Sequence, residues 1–166
     1  MKWPLELIRD RILTINSKSK SKASSKAKSK KASAIEVAIL NDGTMAIPRP
    51  KDLGLLAEKV LASEGLSGKV NLIFCENDYV RELNFRFRNL NKVTDVLSFL
   101  YEEEGILGEI YIATLQAKAQ APRWKNTFYN ELKRLIVHGS LHLAGYDHMN
   151  SPDRKRMRAR EDLYLL

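Results

Sequence analysis

All three histidines of this 166-residue chain fall inside one eleven-residue stretch, His138-Gly-Ser-Leu-His142-Leu-Ala-Gly145-Tyr-Asp-His148. Residues 138 and 142 are four apart, so a helix sets them about 40° apart around its axis and one turn apart along it. Both imidazoles can then reach one ion. Gly145 suits the left-handed conformation that ends a helix, because it has no Cβ to clash. The chain can turn back there and bring His148 in from a second direction. Three neutral imidazoles leave a fourth coordination position for water, as in a catalytic zinc rather than a closed structural one. The spacing therefore predicts one divalent ion per chain on His138, His142 and His148, zinc or another divalent metal. The alternative, three unconnected histidines, leaves their common face unexplained.

Charge is unevenly placed. The chain carries +8 overall, and residues 17–33 hold seven lysines and no acid, so +1 remains for everything else. A Lys/Ser-rich segment of this kind cannot bury a core, and 17–33 reads as a disordered linker. It either attracts nucleic acid or another anionic surface, or serves as a solubilising spacer. Residues 1–16 put Leu5, Ile8, Ile12 and Ile15 on one stripe and read as a short amphipathic helix, with no apolar region of a secretory signal. No stretch approaches 18 apolar residues, which argues against a membrane-spanning helix. The single cysteine, Cys75, sits in an apolar run and reads as a small buried residue. Without an internal disulfide the chain fits a reducing, cytoplasmic setting.

One domain is expected from about residue 34 to 166. Ile35–Leu40 reads as a strand. Leu53, Leu56, Ala57, Val60 and Leu61 recur at helical spacing before Gly65. Val70–Cys75 is a second strand, and Asn77 can cap a helix carrying Val80, Leu83 and Phe87. Val96–Leu100 and Ile106–Ala113 read as antiparallel strands joined by the turn at 102–105. A short helix over Leu115–Ala121 breaks at Pro122. The histidine helix runs over Glu131–Ala144, and Ser151-Pro152 opens a last helix with a cap and a proline at the first turn. The expected class is α+β: one mixed sheet of about four strands packed against helices, with the three-histidine metal site at the end of a central helix.

On that helix Leu132, Leu135, Ile136, Gly139 and Leu143 form an apolar stripe beside the histidines. Gly139 weakens a helix by roughly 1 kcal/mol against alanine, so its place mid-stripe implies a backbone packed close against it. Glu131 projects on the histidine face two turns earlier. It could hold an imidazole by hydrogen bond, or be a solvated charge.

A zinc peptidase of the H-E-x-x-H-x-x-G-x-x-H type shares these ligand and glycine spacings, but Gly139 replaces its glutamate base. That base is typically worth 10²–10⁴-fold, which weakens the peptidase reading. The stretch resembles instead the signature of the YbeY family of metal-dependent endoribonucleases. Leu83-Asn84-Phe-Arg-Phe-Arg88 followed by Thr94-Asp95-Val96-Leu97-Ser98-Phe99 is similar to that family's L-N-x-x-[YF]-R…P-T-D-V-L-S-F, and Leu107-Gly108-Glu109-Ile110 to its L-G-[DE]-I. Met157 and Glu161 fit its closing helix. The resemblance covers about residues 35–166. Val93 stands where the family commonly has proline, and Asn89 where glycine is common.

What the resemblance implies is a zinc-dependent, single-strand-specific endoribonuclease. It would act in ribosomal RNA maturation, chiefly at the 3′ end of the small-subunit RNA, and in ribosome quality control. Its partners would be single-stranded RNA and the small ribosomal subunit, with no membrane involved. RNA carries its own nucleophile, the 2′-OH, so such an enzyme has less need of the missing glutamate. The arginine matching Arg88 is functional in the family, and here it could clamp a phosphate bidentately. Asp147 could orient a ligand or act as a base, or it could cap the turn after Gly145. Asp95 reads as turn chemistry at the start of a strand, and the sequence assigns Thr94 and Ser98 no role. The competing class is an RNA-associated factor whose metal mainly fixes the fold.

Overall fold

The structure, a computed structural model, describes residues 34–103 and 106–166. The helix expected over 1–16 and the linker 17–33 lie outside the described residues. The elements in chain order are β1 (Ile35–Asn41), α1 (Pro50–Ser63), β2 (Gly68–Cys75), α2 (Asn77–Arg88), β3 (Val96–Glu103) and β4 (Ile106–Ala113). Then come α3 (Thr114–Gln120), a 3₁₀ turn (Ala121–Trp124), α4 (Phe128–Leu143) and α5 (Ser151–Leu165). The four strands make one sheet in the order β1-β2-β4-β3. β1, β2 and β4 run parallel, and β3 pairs antiparallel with β4 as the outer strand. The expected mixed α+β class holds.

Alternation along the strands divides the helices between the two faces. Val70, Leu72, Phe74, Val96, Ile110 and Ile112 meet Leu53, Ala57 and Leu61 of α1 and Leu132, Leu135 and Ile136 of α4. Ile73, Leu97, Phe99 and Tyr111 point the other way, onto Val80 and Leu83 of α2. Thus α1 and α4 cover one face and α2 the other. α5 forms an outer layer, where Met157 joins Val60 of α1 with Val137 and Leu141 of α4. No helix among the described residues is long and apolar enough to cross a membrane.

Two helices close with the same device. At the end of α4, Gly145 N–H donates to the His142 carbonyl and Tyr146 N–H to the Leu141 carbonyl, with Gly145 at φ 84°. At the end of α1, Gly65 N–H donates to Ala62 and Leu66 N–H to Leu61. This is the 6→1 and 5→2 pair of a Schellman turn, which only a residue tolerant of positive φ closes without strain. Tyr146 also packs in the cluster that holds Leu141, the apolar contact that accompanies such turns. α2 ends differently. Asn89, where the resembling family favours glycine, takes the left-handed conformation at φ 56° itself, which asparagine tolerates better than most residues.

Several local expectations are corrected. Asn77 does not cap α2; its Oδ1 accepts from Gln116 N–H at 3.1 Å, tying α2 to α3. Ser151 is already helical, and the cap of α5 is Asn150, whose Oδ1 accepts from Asp153 N–H at 2.9 Å. The short helix does end before Pro122, at Gln120, and a 3₁₀ turn follows that tolerates the proline near its start, where no helical N–H is needed. The apolar stripe of α4 is as expected, with Leu132, Leu135, Ile136, Gly139 and Leu143 all buried.

Close packing at Gly139 is as expected, but side chains rather than a backbone supply it: a Cβ there would stand 2.8 Å from Ile110 Cγ2 and 2.9 Å from Ser98 Oγ. Gly139→Ala gains roughly 1 kcal/mol of helix propensity. Overpacking typically costs about 1–3 kcal/mol. We expect a net loss of up to about 2 kcal/mol in denaturant unfolding, and greater stability of the variant would refute the close-contact argument.

Candidate metal centre

α4 carries His138 and His142 on the flank nearest the outer strand β3. Ser98 of β3 donates its hydroxyl to the Gly139 carbonyl at 3.1 Å, which locks that part of the helix to the strand. His148 comes from the turn that Gly145 begins. The three rings meet: centroids are 4.7 Å apart for 138–142, 5.1 Å for 142–148 and 5.5 Å for 138–148. Their ligand nitrogens all lie within 4.8 Å of one another. The Nε2 atoms of His138 and His142 are 3.1 Å apart. A tetrahedral ion with bonds of about 2.0–2.1 Å holds its ligands about 3.3 Å apart, so this pair already has the spacing of metal ligands. His148 is exposed and on a loop, free to complete the set, while the other two are half-buried.

Protonation also favours a metal. Burial first, then the neighbouring His138 and His148, push the His142 imidazolium down to a pKa of about 4. His142 is therefore neutral near pH 7, as ligation requires. His138 Nδ1 lies 2.6 Å from Glu161 Oε1 of α5. The carboxylate accepts from Nδ1, which leaves the Nε2 lone pair facing the cluster. Burial works to raise the pKa of Glu161, but the bond to His138 and the charges of His138 and Arg134 outweigh it and hold it low.

Glu131 does neither thing expected of it. It is fully buried and bound to Arg134, whose Nη2 donates to Oε1 at 2.6 Å. Gln120 Nε2 donates to the same oxygen at 2.7 Å, and Asn126 Nδ2 to Oε2 at 3.1 Å. Desolvation would raise its pKa, but these partners together bring it below the ordinary carboxylate value. Gln120 also donates to Asp95 Oδ2 at 2.8 Å, while Asp95 Oδ1 accepts from Val96 N–H at 3.0 Å. Asp95 thus both starts β3 and joins a buried polar network at the root of α4. The Glu131–Arg134 spacing, three apart on one helix face, is the signal in the sequence that points to this pairing. Glu161, which orients His138, carries no comparable local signal.

The other candidates stand further out. Asp147 is exposed, and its Oδ1 accepts from His148 N–H at 2.6 Å, inside the turn that presents His148. Thr94 lies next to Asp95, its hydroxyl 3.4 Å from Asp95 Oδ1. Arg88 ends α2, on the sheet face opposite α4, and is exposed with no side-chain partner among the described residues. From there the loop 89–95 leads from the α2 side, where Val93 packs, to Asp95, which bonds Gln120 and Arg134 on the α4 side. Buried Asn84 pins it by donating to the Lys92 carbonyl at 2.8 Å. The structure does not bring Arg88 into the histidine cluster.

Fold and site define a single-domain α+β protein with a three-histidine cluster that could hold a metal, where the end of α4 meets α5. Known proteins are similar to this chain. Residues 16–166 match the family model described as Endoribonuclease YbeY. An Endoribonuclease YbeY of Desulforamulus reducens is 43% identical over 114 residues, covering 61% of this chain and 74% of the relative. One of Endomicrobium trichonymphae is 36% identical over 111 residues, covering 66% and 79%. The solution structure of TM1509 from Thermotoga maritima superposes with a TM-score of 0.57 at 34% identity, covering 78% of this chain and 87% of that one. The chain belongs to the YbeY endoribonuclease family. Its chemistry is therefore that of an RNA-cleaving hydrolase of a metal-dependent family.

Two outcomes test the centre. Glu161→Gln should lower divalent-metal affinity by about 10–100-fold, read by competition with a chelating dye, because a neutral amide oxygen accepts more weakly from Nδ1–H and no longer raises the basicity of the ring. Unchanged affinity would remove Glu161 from the site. In chelated protein, the unfolded chain takes up a proton at His142 near pH 6.5, which the folded chain refuses until about pH 4. Stability should fall with pH across that window, by at most about 1.4 kcal/mol per unit. Denaturant melts of His142→Gln should show a shallower fall there; parallel curves would contradict the shift.

Proposed function

We propose that the chain is a zinc-dependent, single-strand-specific endoribonuclease that matures ribosomal RNA, chiefly the 3′ end of the small-subunit RNA, in the cytoplasm, with a part in ribosome quality control. The observation that carries the reading is the convergence of three imidazole nitrogens with no carboxylate at position 139. Where a peptidase of the same spacing keeps its base, Gly139 lies against Ile110 and Ser98. A substrate that brings its own nucleophile, as RNA does with its 2′-OH, suits such a site. Zinc on these ligands would lower the pKa of a water towards about 7 and polarise a phosphoryl oxygen.

The chain's own groups have separable tasks. His138, His142 and His148 hold the ion. Glu161 holds the proton on His138 Nδ1. Asp147 braces the turn beneath His148. Arg88, an exposed guanidinium outside the histidine cluster at the start of the loop that leads to β3, takes a phosphate of the RNA and steadies charge on it once the strand brings that phosphate and the cluster together. Residues 17–33 add electrostatic affinity for the RNA without a catalytic group.

The test is cleavage of single-stranded ribosomal RNA by metal-quantified protein beside a His142→Ala control. Wild type should cleave and the control should not. Arg88→Ala should keep its metal and fold yet lose about 10²–10³ in rate, with Arg88→Lys recovering part. Equal rates for all three would exclude Arg88, and no metal-dependent cleavage by wild type would leave an RNA-associated factor instead.

A further inference from the structure

α5 is densely basic: Arg154, Lys155, Arg156, Arg158 and Arg160 fall within seven residues. Their partners separate them. Arg160 Nε donates to Tyr146 Oη at 3.1 Å and stands 3.5 Å from Glu64 Oε1, so it is occupied on the α1 side of the helix. Arg156 pairs with Asp153 at 3.2 Å. Arg154 touches only a carbonyl, that of His148, at 3.5 Å. Arg158 is exposed and has no hydrogen bond or ion pair among the described residues, and Asp162, one turn on, does not pair with it.

The free and occupied arginines lie on opposite flanks. At 100° per residue, Arg154, Arg158 and Glu161 fall within an arc of about 60°, while Arg160 lies about 100° further round from Glu161. Glu161 fixes what this arc faces, because it touches His138. Arg154 fixes it a second time, through His148. The two unneutralised guanidinium groups therefore stand one turn apart along the rim of the histidine cleft. Four residues at about 1.5 Å each put roughly 6 Å along the axis between Arg154 and Arg158, a span comparable to successive phosphates of an extended strand.

We infer that Arg154 and Arg158 form a phosphate-binding strip that seats the backbone of single-stranded RNA alongside the three histidines. The inference deepens the endoribonuclease reading and rests on it. A guanidinium fork matches a phosphate bidentately, and the strip reads no bases, so it contributes affinity and direction rather than sequence choice.

The test uses full-length zinc-loaded protein and a short fluorescein-labelled single-stranded RNA whose 2′-OH groups are methylated so that it brings no nucleophile, with anisotropy titrations over a range of salt and a gel verifying that the RNA stays intact. Each phosphate contact on a single strand contributes a slope of about −0.7 in log K against log salt. Arg154→Ala/Arg158→Ala should flatten the slope by about 1.4 and weaken binding by more than about tenfold at 0.1 M salt. Arg154→Lys/Arg158→Lys should restore most of the slope with lower affinity. Lys155→Ala/Arg156→Ala removes the same formal charge from outside the arc and should leave the slope near that of wild type. Equal flattening in the two alanine doubles would show a diffuse field and overturn the strip, as would an unaltered slope in Arg154→Ala/Arg158→Ala. Wild type that binds no single-stranded RNA would sink the endoribonuclease reading itself, a distinct outcome.

Discussion

The seating of α4 on β3 and β4 is the constraint on which everything else hangs. Two absent side chains permit it. A Cβ at Gly139 would press on Ile110 and Ser98, and one at Gly108 would stand 2.6 Å from the Phe99 carbonyl and 2.9 Å from Leu143. Side chains of the sheet therefore press on the helix backbone at Gly139, and Leu143 of the helix presses on the sheet backbone at Gly108, so rolling the helix would bring these atoms into collision. The Ser98 hydroxyl bond to the Gly139 carbonyl locks the same contact. Rotation of α4 being fixed, His138 and His142 must face the cleft beside the outer strand.

Around that rigid pair the remaining groups are recruited from afar. The Schellman turn at Gly145 reverses the chain and brings His148 within reach of the other rings. It also starts the return that lays α5 across α4 and places Glu161 on His138. At the other end of α4, Glu131, Arg134, Gln120 and Asp95 satisfy one another in a buried network. A buried carboxylate without such partners would be costly. Here it anchors the root of the helix to the start of β3, and the loop from Arg88 ends at that anchor.

What could be read from the sequence was what depends on neighbours along the chain. The histidine spacing, the left-handed glycine after them and the apolar stripe of α4 each obey a local periodicity, and each stands as expected. The strands were legible for the same reason. Sheet order was not: β4 inserts between β2 and β3, a pairing decided by the parallel register of Val70–Cys75 with Gly108–Ala113. Nor were the partners of polar residues. Asn77 serves Gln116 rather than its own helix, and Glu131 serves Arg134 and Gln120 rather than an imidazole. Glu161 reaches His138 across 23 residues of chain. Such contacts are set by how helices pack, which no single-helix pattern records.

The attachment of α5 has one more consequence. Met157 is its one buried residue, and polar bonds do much of the rest, through Glu161 to His138 and through Tyr164 and Arg160 to Glu64. A helix held so lightly belongs to the low end of the local-stability scale, where opening costs far less than global unfolding. Its backbone amides should exchange with solvent well before those of β2 and β4. Each such opening also takes Glu161 and the flanking arginines away from the histidines while the sheet stays intact. The orientation of His138 thus depends on a helix anchored apart from the sheet, through Met157, Tyr164 and Leu165.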